Sequence, residues 1–143
     1  MVCIREAVTQ DAESIALIST DSLGYPCRSE LVERRLRELD TCKQKVFVAV
    51  EGERVVGFVQ AELYQLLYQE DSINVLGLAV SKNYQRNGYG RQLMQAVELW
   101  AKQMNCSAVR LNSATGRTEA HIFYERLGYR NTKSQKRFVK DIF

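Results

Sequence analysis

The sequence predicts a single domain of the mixed α/β (α+β) class, because strand-like and helix-like stretches alternate along a chain of 143 residues. The clearest such stretch has the order strand, glycine-containing turn, helix. Residues 73–80 form a continuous apolar run, 81–87 are polar, and 91–104 carry apolar side chains at helical spacing. A chain of this length suffices for one hydrophobic core, so we expect one domain over residues 1–143.

The other elements follow from the same patterns in chain order. Glu51, Gly52 and Glu53 separate two strand-like runs and suit a tight hairpin turn. Gly128 stands where a helix ends in a glycine. Strands are predicted at 4–7, 45–50, 54–63, 73–80, 108–112, 129–131 and 137–142, and helices from the capping segment 9–11 to about 19 and at 30–39, 90–104 and 119–127.

Composition excludes several classes of protein. The chain is 45% hydrophobic and 26% charged with a net charge of +3, which is typical of a globular protein and lacks the strong basic excess expected of a nucleic-acid binder. No run approaches the roughly 20 apolar residues that cross a bilayer, and no signal peptide begins the chain, so we expect a cytoplasmic protein without a membrane partner. Four cysteines without a C-x-x-C pair predict free thiols and no metal site.

The turn before the third helix has the character of an anion site. A helix start leaves backbone N–H groups without intrahelical partners, and Gly88 and Gly90 would let a ligand approach them closely. The helix dipole favours phosphate at that point, and Arg86 and Arg91 add positive charge. Taken alone, a G-x-G turn with solvated arginines is also compatible with an ordinary loop.

Two motifs in sequence resemble those of the GNAT superfamily of N-acetyltransferases. Gln-Arg-Asn-Gly-Tyr-Gly at 85–90 is similar to its pyrophosphate-binding signature Q/R-x-x-G-x-G/A, and 120–129 is similar to its later A-x-x-F-Y-x-x-x-G-F/Y helix. The resemblance implies a central mixed, mostly antiparallel sheet of about six to seven strands, with a splayed parallel pair and about four flanking helices. It also implies transfer of an acetyl group from acetyl-CoA directly to a primary amine of a small molecule or peptide.

In this family a bulge in the strand before the turn opens a cleft for the pantetheine arm of CoA, and Gly77 suits such a bulge. Backbone groups of Leu78 and Val80 would then bond to the arm as an added strand does. The residues expected to hold acetyl-CoA are Leu78, Ala79, Val80, Gln85, Arg86, Asn87, Gly88, Tyr89, Gly90, Arg91, Asn112, Arg117 and Tyr124.

The resemblance assigns the acid for the leaving thiolate to Tyr124, the tyrosine of the F-Y motif. The position that holds a catalytic glutamate in some members is Asn74 here, and an amide is not a useful proton acceptor. The alternatives are a water bound by Asn74, Glu62 or Glu70, or an amine that arrives neutral. His121 lies one helical turn before Tyr124 and is a further candidate base.

Side chains that would contact the acceptor are predicted in two connections and on the last helix. They are Tyr25, Tyr64, Tyr68, Asp71 and His121, and the acidic residues around 70 would suit a cationic amine. Arg117 replaces an asparagine found in many members and would grip the cofactor or an acidic group of the acceptor.

Two other functions are compatible with the sequence. One is a non-catalytic module that binds acyl-CoA as a sensor or assembly subunit, which the missing glutamate favours and Tyr124 opposes. The other is transfer from a different acyl donor. The depth of the cleft around Leu76, Leu78 and Phe123 would decide which acyl group fits. An exposed closing strand would allow a homodimer.

Overall fold

The computed structural model describes residues 2–143, which contain a five-stranded mixed sheet. The strands stand in chain order, and all neighbours are antiparallel except the last two, which are parallel. They are β1 (Val2–Glu6), β2 (Gln44–Glu51), β3 (Arg54–Tyr64), β4 (Ser72–Val80) and β5 (Ala108–Leu111). The mixed α/β class is therefore confirmed.

The helices account for most of the remaining regular structure. They are α1 (Ala12–Ile18), α2 (Ser29–Arg37), α3 (Tyr89–Gln103) and α4 (Thr118–Arg126), with shorter helical turns at Thr9–Asp11, Ser19–Leu23 and Lys82–Tyr84. The chain divides into two compact units at 111/112. The first contains β1 to β5 with α1 to α3, and the second contains α4. The assignment of residues 1–143 to a single domain stays a prediction.

In the first unit, α1 covers one face of the sheet. Ile15 and Ile18 are buried against a group of strand side chains. That group comprises Val46, Val48, Phe58 and Ala79. The alternation of side chains along a strand then places Gln60 and Glu62 of β3 on this same face, farther along the strand.

The opposite face of the sheet receives α3. Leu93, Met94 and Val97 have no exposed surface, and a Cβ on Gly57 of β3 would lie only 3.3 Å from Leu93 Cδ1. The same Cβ would lie 3.0 Å from the Ala79 carbonyl oxygen. Glycine at 57 therefore lets the helix that follows the turn approach the sheet closely.

The second unit differs from the sequence prediction. Residues 129–143 form neither helix nor strand, so the strands predicted at 129–131 and 137–142 are wrong, and the described sheet has five strands instead of six to seven. Phe138 and Ile142 are 89% and 77% exposed. Their apolar pattern is strand-like, but a strand also needs a partner for its backbone groups, and within residues 112–143 no strand provides one.

Among residues 2–143, no helix combines the length and apolar character that crossing a membrane requires. The same part of the chain holds no cluster of three or more potential metal-ligating His, Cys, Asp or Glu side chains. Cys3, Cys27, Cys42 and Cys106 are free thiols, as predicted.

A partly buried ion pair joins β1 to the start of α1. Arg5 Nη1 and Nη2 donate to the two carboxylate oxygens of Asp11 at 2.8 and 3.0 Å, and the Val8 N–H donates to the same carboxylate at 2.8 Å. Asp11 is only 5% exposed. Burial raises the pKa of the Asp11 carboxyl, but the bonds from Arg5 and Val8 outweigh it and hold that pKa below its ordinary value of 3.8.

We expect Asp11→Asn to lower the free energy of unfolding at neutral pH by about 1 to 2 kcal/mol, discounted for the partial exposure of Arg5. Because the folded pKa is depressed, this stabilisation is present above the ordinary carboxyl pKa and is lost as pH falls through the lowered value. Urea unfolding at a series of pH values measures it. The difference in free energy of unfolding between the wild type and Asp11→Asn should disappear in acid. Exposed Asp21→Asn, the control, should change this free energy little. A difference that persists in acid would contradict the assignment.

Candidate active site

A β-bulge in β4 lies next to the point where the pairing of this strand with β5 ends. The β3 to β4 register runs through Gln60↔Gly77 and resumes at Ala61↔Val75, so Leu76 is an extra residue on β4. Parallel pairing with β5 ends at Val75↔Leu111. The bulge predicted in this strand is therefore confirmed, and β4 beyond Val75 has a sheet edge that β5 does not occupy.

Leu78 presents its backbone to that edge. The Ser81 N–H bonds across to the Val56 carbonyl of β3 at 2.8 Å. Successive residues of a strand direct their N–H and C=O groups to opposite edges, so Leu78 and Val80 direct theirs away from β3. Leu78 is half-buried and lies two residues beyond the bulge.

The Val80 carbonyl is not free as the sequence analysis expects. Its oxygen accepts a hydrogen bond from Ser22 Oγ at 3.0 Å and another from Gln85 Nε2 at 3.0 Å. Ala79 is buried, and its carbonyl faces β3 beside Gly57. Of the three predicted backbone contacts in this strand, Leu78 is the one that offers both backbone groups to a ligand.

The turn between β4 and α3 has a backbone suited to an anion. Arg86 and Gly88 have φ of +66° and +84°, the left-handed region, and Gly88 is the N-cap of α3. The first intrahelical bond runs from the Gln92 N–H to the Gly88 carbonyl at 3.1 Å. The N–H groups of residues 89–91 precede it and lack intrahelical partners. Left-handed residues of this kind turn backbone N–H groups toward one concavity, which binds anions.

Two amide side chains shape this turn instead of facing a ligand. Gln85 Nε2 donates to Val80 as described, and Asn87 Nδ2 donates to the Tyr84 carbonyl at 3.2 Å. Arg86 and Arg91 are exposed. Within residues 2–143 neither guanidinium forms a salt bridge, so both charges are available to an anion at the turn.

Two tyrosines anchor the turn to the β2 to β3 hairpin. Tyr89 is 5% exposed, and burial together with a bond to Glu51 raises the pKa of its phenol. The Tyr84 hydroxyl accepts from Arg54 Nη1 at 3.1 Å. The Tyr89 side chain is therefore a packing group, and only its backbone N–H suits the cofactor role expected of it. Single-sequence reasoning missed these hairpin contacts because they link residues 30 or more positions apart.

The candidate base Glu62 and the amide of Asn74 lie side by side. Glu62 of β3 is directly opposite Asn74 of β4 in the sheet register, and Asn74 Nδ2 donates to Glu62 Oε2 at 2.8 Å. A carboxylate from the neighbouring strand thus contacts the amide that stands where some relatives have their glutamate. Glu70 lies in the exposed connection 65–71 and does not share this contact.

Three of the predicted acceptor residues, Tyr64, Tyr68 and Asp71, lie in or beside the connection between β3 and β4, and Tyr25 lies in the connection before α2. Tyr64 is half-buried and lies two residues after Glu62, on the same face of β3. Tyr25 and Tyr68 are 68% and 79% exposed in connections. Asp71 accepts from Gln65 Nε2 at 3.2 Å, and its backbone carbonyl accepts from the Ser107 N–H at 2.9 Å.

The second unit contains the remaining predicted residues. Tyr124 is half-buried with its ring 5.1 Å from that of Phe123 and 6.1 Å from that of Tyr129. Burial raises the pKa of the Tyr124 phenol, against a smaller lowering by the charge of Arg117. The phenol is therefore protonated at neutral pH, as an acid must be.

Three further predicted residues lie near the start of α4 or before it. Arg117 is its exposed N-cap, and Asn112 is exposed directly after β5. His121 Nε2 lies 2.9 Å from the Ala114 carbonyl oxygen, which can only accept, so this nitrogen carries a proton. That bond gives His121 a structural role within the unit.

Comparison with known proteins agrees with this geometry. A family model described as Acetyltransferase (GNAT) family matches residues 12–129. The fold and site thus define an acyltransferase. The chain belongs to the GNAT family of acetyltransferases, and the predicted resemblance is confirmed.

Among its relatives are two enzymes named aminoglycoside N(6')-acetyltransferase type 1. The one from Stenotrophomonas maltophilia is 28% identical over 137 residues, which cover 91% of this chain and 87% of that enzyme. The one from Acinetobacter baumannii is 33% identical over 66 residues, 46% of this chain. That match spans 45% of the Acinetobacter enzyme, less than half its length.

The fold is also that of solved acetyltransferase structures. AAC(6')-Iy in complex with a bisubstrate analogue, CoA-S-monomethyl-acetylneamine, superposes with a TM-score of 0.83 at 16% identity, over 99% of each chain. At this identity the likeness shows a shared fold, and roles of particular residues have to be argued from the chain itself.

Proposed function

We propose that the protein is an N-acetyltransferase that moves the acetyl group of acetyl-CoA directly to a primary amine of a small molecule or peptide. The observation that carries the proposal is the combination, within one unit, of a β4 edge that β5 does not pair beyond Val75 and a left-handed turn at the start of α3. Membership of the GNAT family supports the same reading.

These residues fit acetyl-CoA. The diphosphate would accept bonds from the N–H groups at the start of α3, with Arg86 and Arg91 adding charge. The pantetheine amides would pair with Leu78 on the open edge of β4. When bound, the cofactor supplies an acetyl group activated as a thioester. The Leu78 N–H would then polarise the thioester carbonyl, a contribution worth about 3 kcal/mol for a well-placed donor.

Glu62 is proposed as the base, acting directly or through a water. Glu62 would take a proton from the amine nitrogen as that nitrogen forms its bond to the acetyl carbon. Tyr124, in its predicted role as the acid, would give a proton to the thiolate that leaves when the C–S bond breaks. Asn74 holds the Glu62 carboxylate by the 2.8 Å bond and does not itself accept the proton.

The acceptor class proposed is a cationic amine. Three relatives are named for acetylation of aminoglycosides, and the connection between β3 and β4 carries Glu70 and Asp71 beside tyrosines. Tyr25, Tyr64, Tyr68 and His121 stay predicted contacts of that acceptor. Cytoplasmic location and a homodimer also stay predictions, and the dimer was tied to a closing strand that residues 129–143 do not form.

The function is tested by release of free CoA from acetyl-CoA across a panel of aminoglycosides, polyamines, amino acids and peptides. Turnover with one class of amine supports the proposal and identifies the acceptor. Binding of acetyl-CoA with no turnover on any class would instead favour a non-catalytic acyl-CoA sensor.

Replacing Glu62 tests the base. Glu62→Gln removes the proton acceptor but keeps an acceptor oxygen for Asn74, so we expect kcat to fall about 100-fold and to lose its rise with pH. The pH–rate profile of Glu70→Gln, compared with that of Glu62→Gln, shows which of the two carboxylates is the base. Exposed Glu53→Gln, in the β2 to β3 turn, is the control; an unchanged profile in Glu62→Gln would discard the assignment.

A further inference from the structure

Three polar side chains form a row across three adjacent strands. Asn74 of β4 stands between Glu62 of β3 and Arg110 of β5 in the sheet register. Arg110 Nη1 donates to Asn74 Oδ1 at 2.6 Å, and Asn74 Nδ2 donates to Glu62 Oε2 at 2.8 Å. All three are half-buried. We name them the 62–74–110 row.

The two charged ends fix the orientation of the Asn74 amide. A guanidinium can only donate and an ionised carboxylate can only accept, so the amide oxygen has to face Arg110 and the amide nitrogen has to face Glu62. The positive charge at one end and the negative charge at the other polarise the same amide in the same sense. Each bond of the row therefore strengthens the other.

Arg110 is itself held in place. Its guanidinium lies over the ring of Tyr64, 4.6 Å from the ring centroid. Tyr64 and Glu62 are on the same face of β3, so that strand anchors both ends of the row. A cation over an aromatic face is attracted to the ring, so this contact limits where the guanidinium can lie.

The row lies next to the end of the pairing between the parallel strands. Pairing between β4 and β5 ends at Val75↔Leu111, one residue beyond Asn74 and Arg110. The bulge at Leu76 follows immediately, and Leu78 lies two residues later. The row therefore lies close to the open edge of β4.

We propose that Arg110 is a positioning residue, which acts through Asn74 to hold the Glu62 carboxylate aimed at the amine. The inference rests on the proposed function and assigns a role in positioning the base to a residue on β5. It also explains why asparagine suits position 74, because an amide can accept a hydrogen bond from a cation on β5 and donate one to a carboxylate on β3 at the same time. A carboxylate at 74 would repel Glu62 instead.

The test compares Arg110→Met, which removes the charge, with Arg110→Lys, which keeps it. In Arg110→Met we expect kcat to fall about tenfold, the lower end of what loss of an outer partner costs in metal sites. KM for acetyl-CoA should not change, and Arg110→Lys should restore most of kcat. Exposed Arg35→Met on α2 is the control.

A second readout does not depend on turnover. The side-chain amide proton shifts of Asn74, followed by NMR, should change in Glu62→Gln and in Arg110→Met, because each variant alters one of the two partners of this amide. An Asn74 signal that is the same in the wild type and in both variants would show that the row does not exist in solution and would overturn this inference. Wild-type turnover with an unchanged kcat in Arg110→Met would overturn it while leaving the proposed function intact. Failure of every amine with the wild type would overturn the proposed function, and the catalytic role of Arg110 with it.

Discussion

Gly88→Asp is expected to weaken acetyl-CoA binding at least about 100-fold, a loss of about 2.7 kcal/mol, while the chain stays folded. Gly88 has φ of +84°, and an added Cβ would meet nothing within 4 Å. The substitution therefore costs local backbone strain of about 1 to 2 kcal/mol and no clash. The carboxylate stands at the N-cap of α3, where the phosphates are proposed to bind, so it competes for the same N–H groups and repels the ligand.

Calorimetric titration with acetyl-CoA measures the loss, and two variants separate its causes. Gly88→Asn is neutral, and asparagine tolerates left-handed backbone, so it should retain most of the affinity. Gly24→Asp places the same residue at φ +75° with open space around it, away from the turn, and reports the strain alone. Undiminished affinity in Gly88→Asp would contradict the phosphate site.

Tyr124→Phe is expected to lower kcat about 100-fold, within the range of general acid catalysis, and to leave acetyl-CoA affinity nearly unchanged. The raised pKa of the Tyr124 phenol keeps its proton on through neutral and mildly alkaline pH, so wild-type activity should show no alkaline loss below the ordinary tyrosine value of 10.0. The ring environment of Phe123 and Tyr129 accommodates phenylalanine without a change of packing.

Single-turnover rates and calorimetric binding separate the two possible roles of Tyr124. Tyr129→Phe removes a neighbouring hydroxyl and serves as the control. A fall in affinity with an unchanged single-turnover rate would make Tyr124 a binding residue and remove it from the chemistry.

The parts of the fold that local pattern controls were predictable. The apolar run of β4, the bulge beside Gly77, the turn at Gly88 and α3 all follow from residues within about 30 positions. The closing strands were mispredicted because the alternation around Phe138 carries no information about a pairing partner. A strand exists only where another backbone accepts its hydrogen bonds.

The sequence could predict several residues of the site, but not which of them are in contact with one another. Glu62 and Asn74 could be named as separate candidates, but their contact depends on the β3 to β4 register, which the one-residue bulge resets. Arg110 gave no signal at all, since its role depends on a parallel partner 36 positions away. The Val80 carbonyl was expected to be free because the Ser22 hydroxyl that occupies it lies 58 positions earlier.

The most direct test of the central claim is the map of acetyl-CoA on the chain, from backbone amide NMR shifts during a titration. The account predicts the largest changes at residues 86–91 and at Leu78, with a smaller response at Glu62 and Asn74 when an amine is added. Changes confined to other parts of the chain, or none at saturating acetyl-CoA, would contradict the proposed site and the transfer built on it.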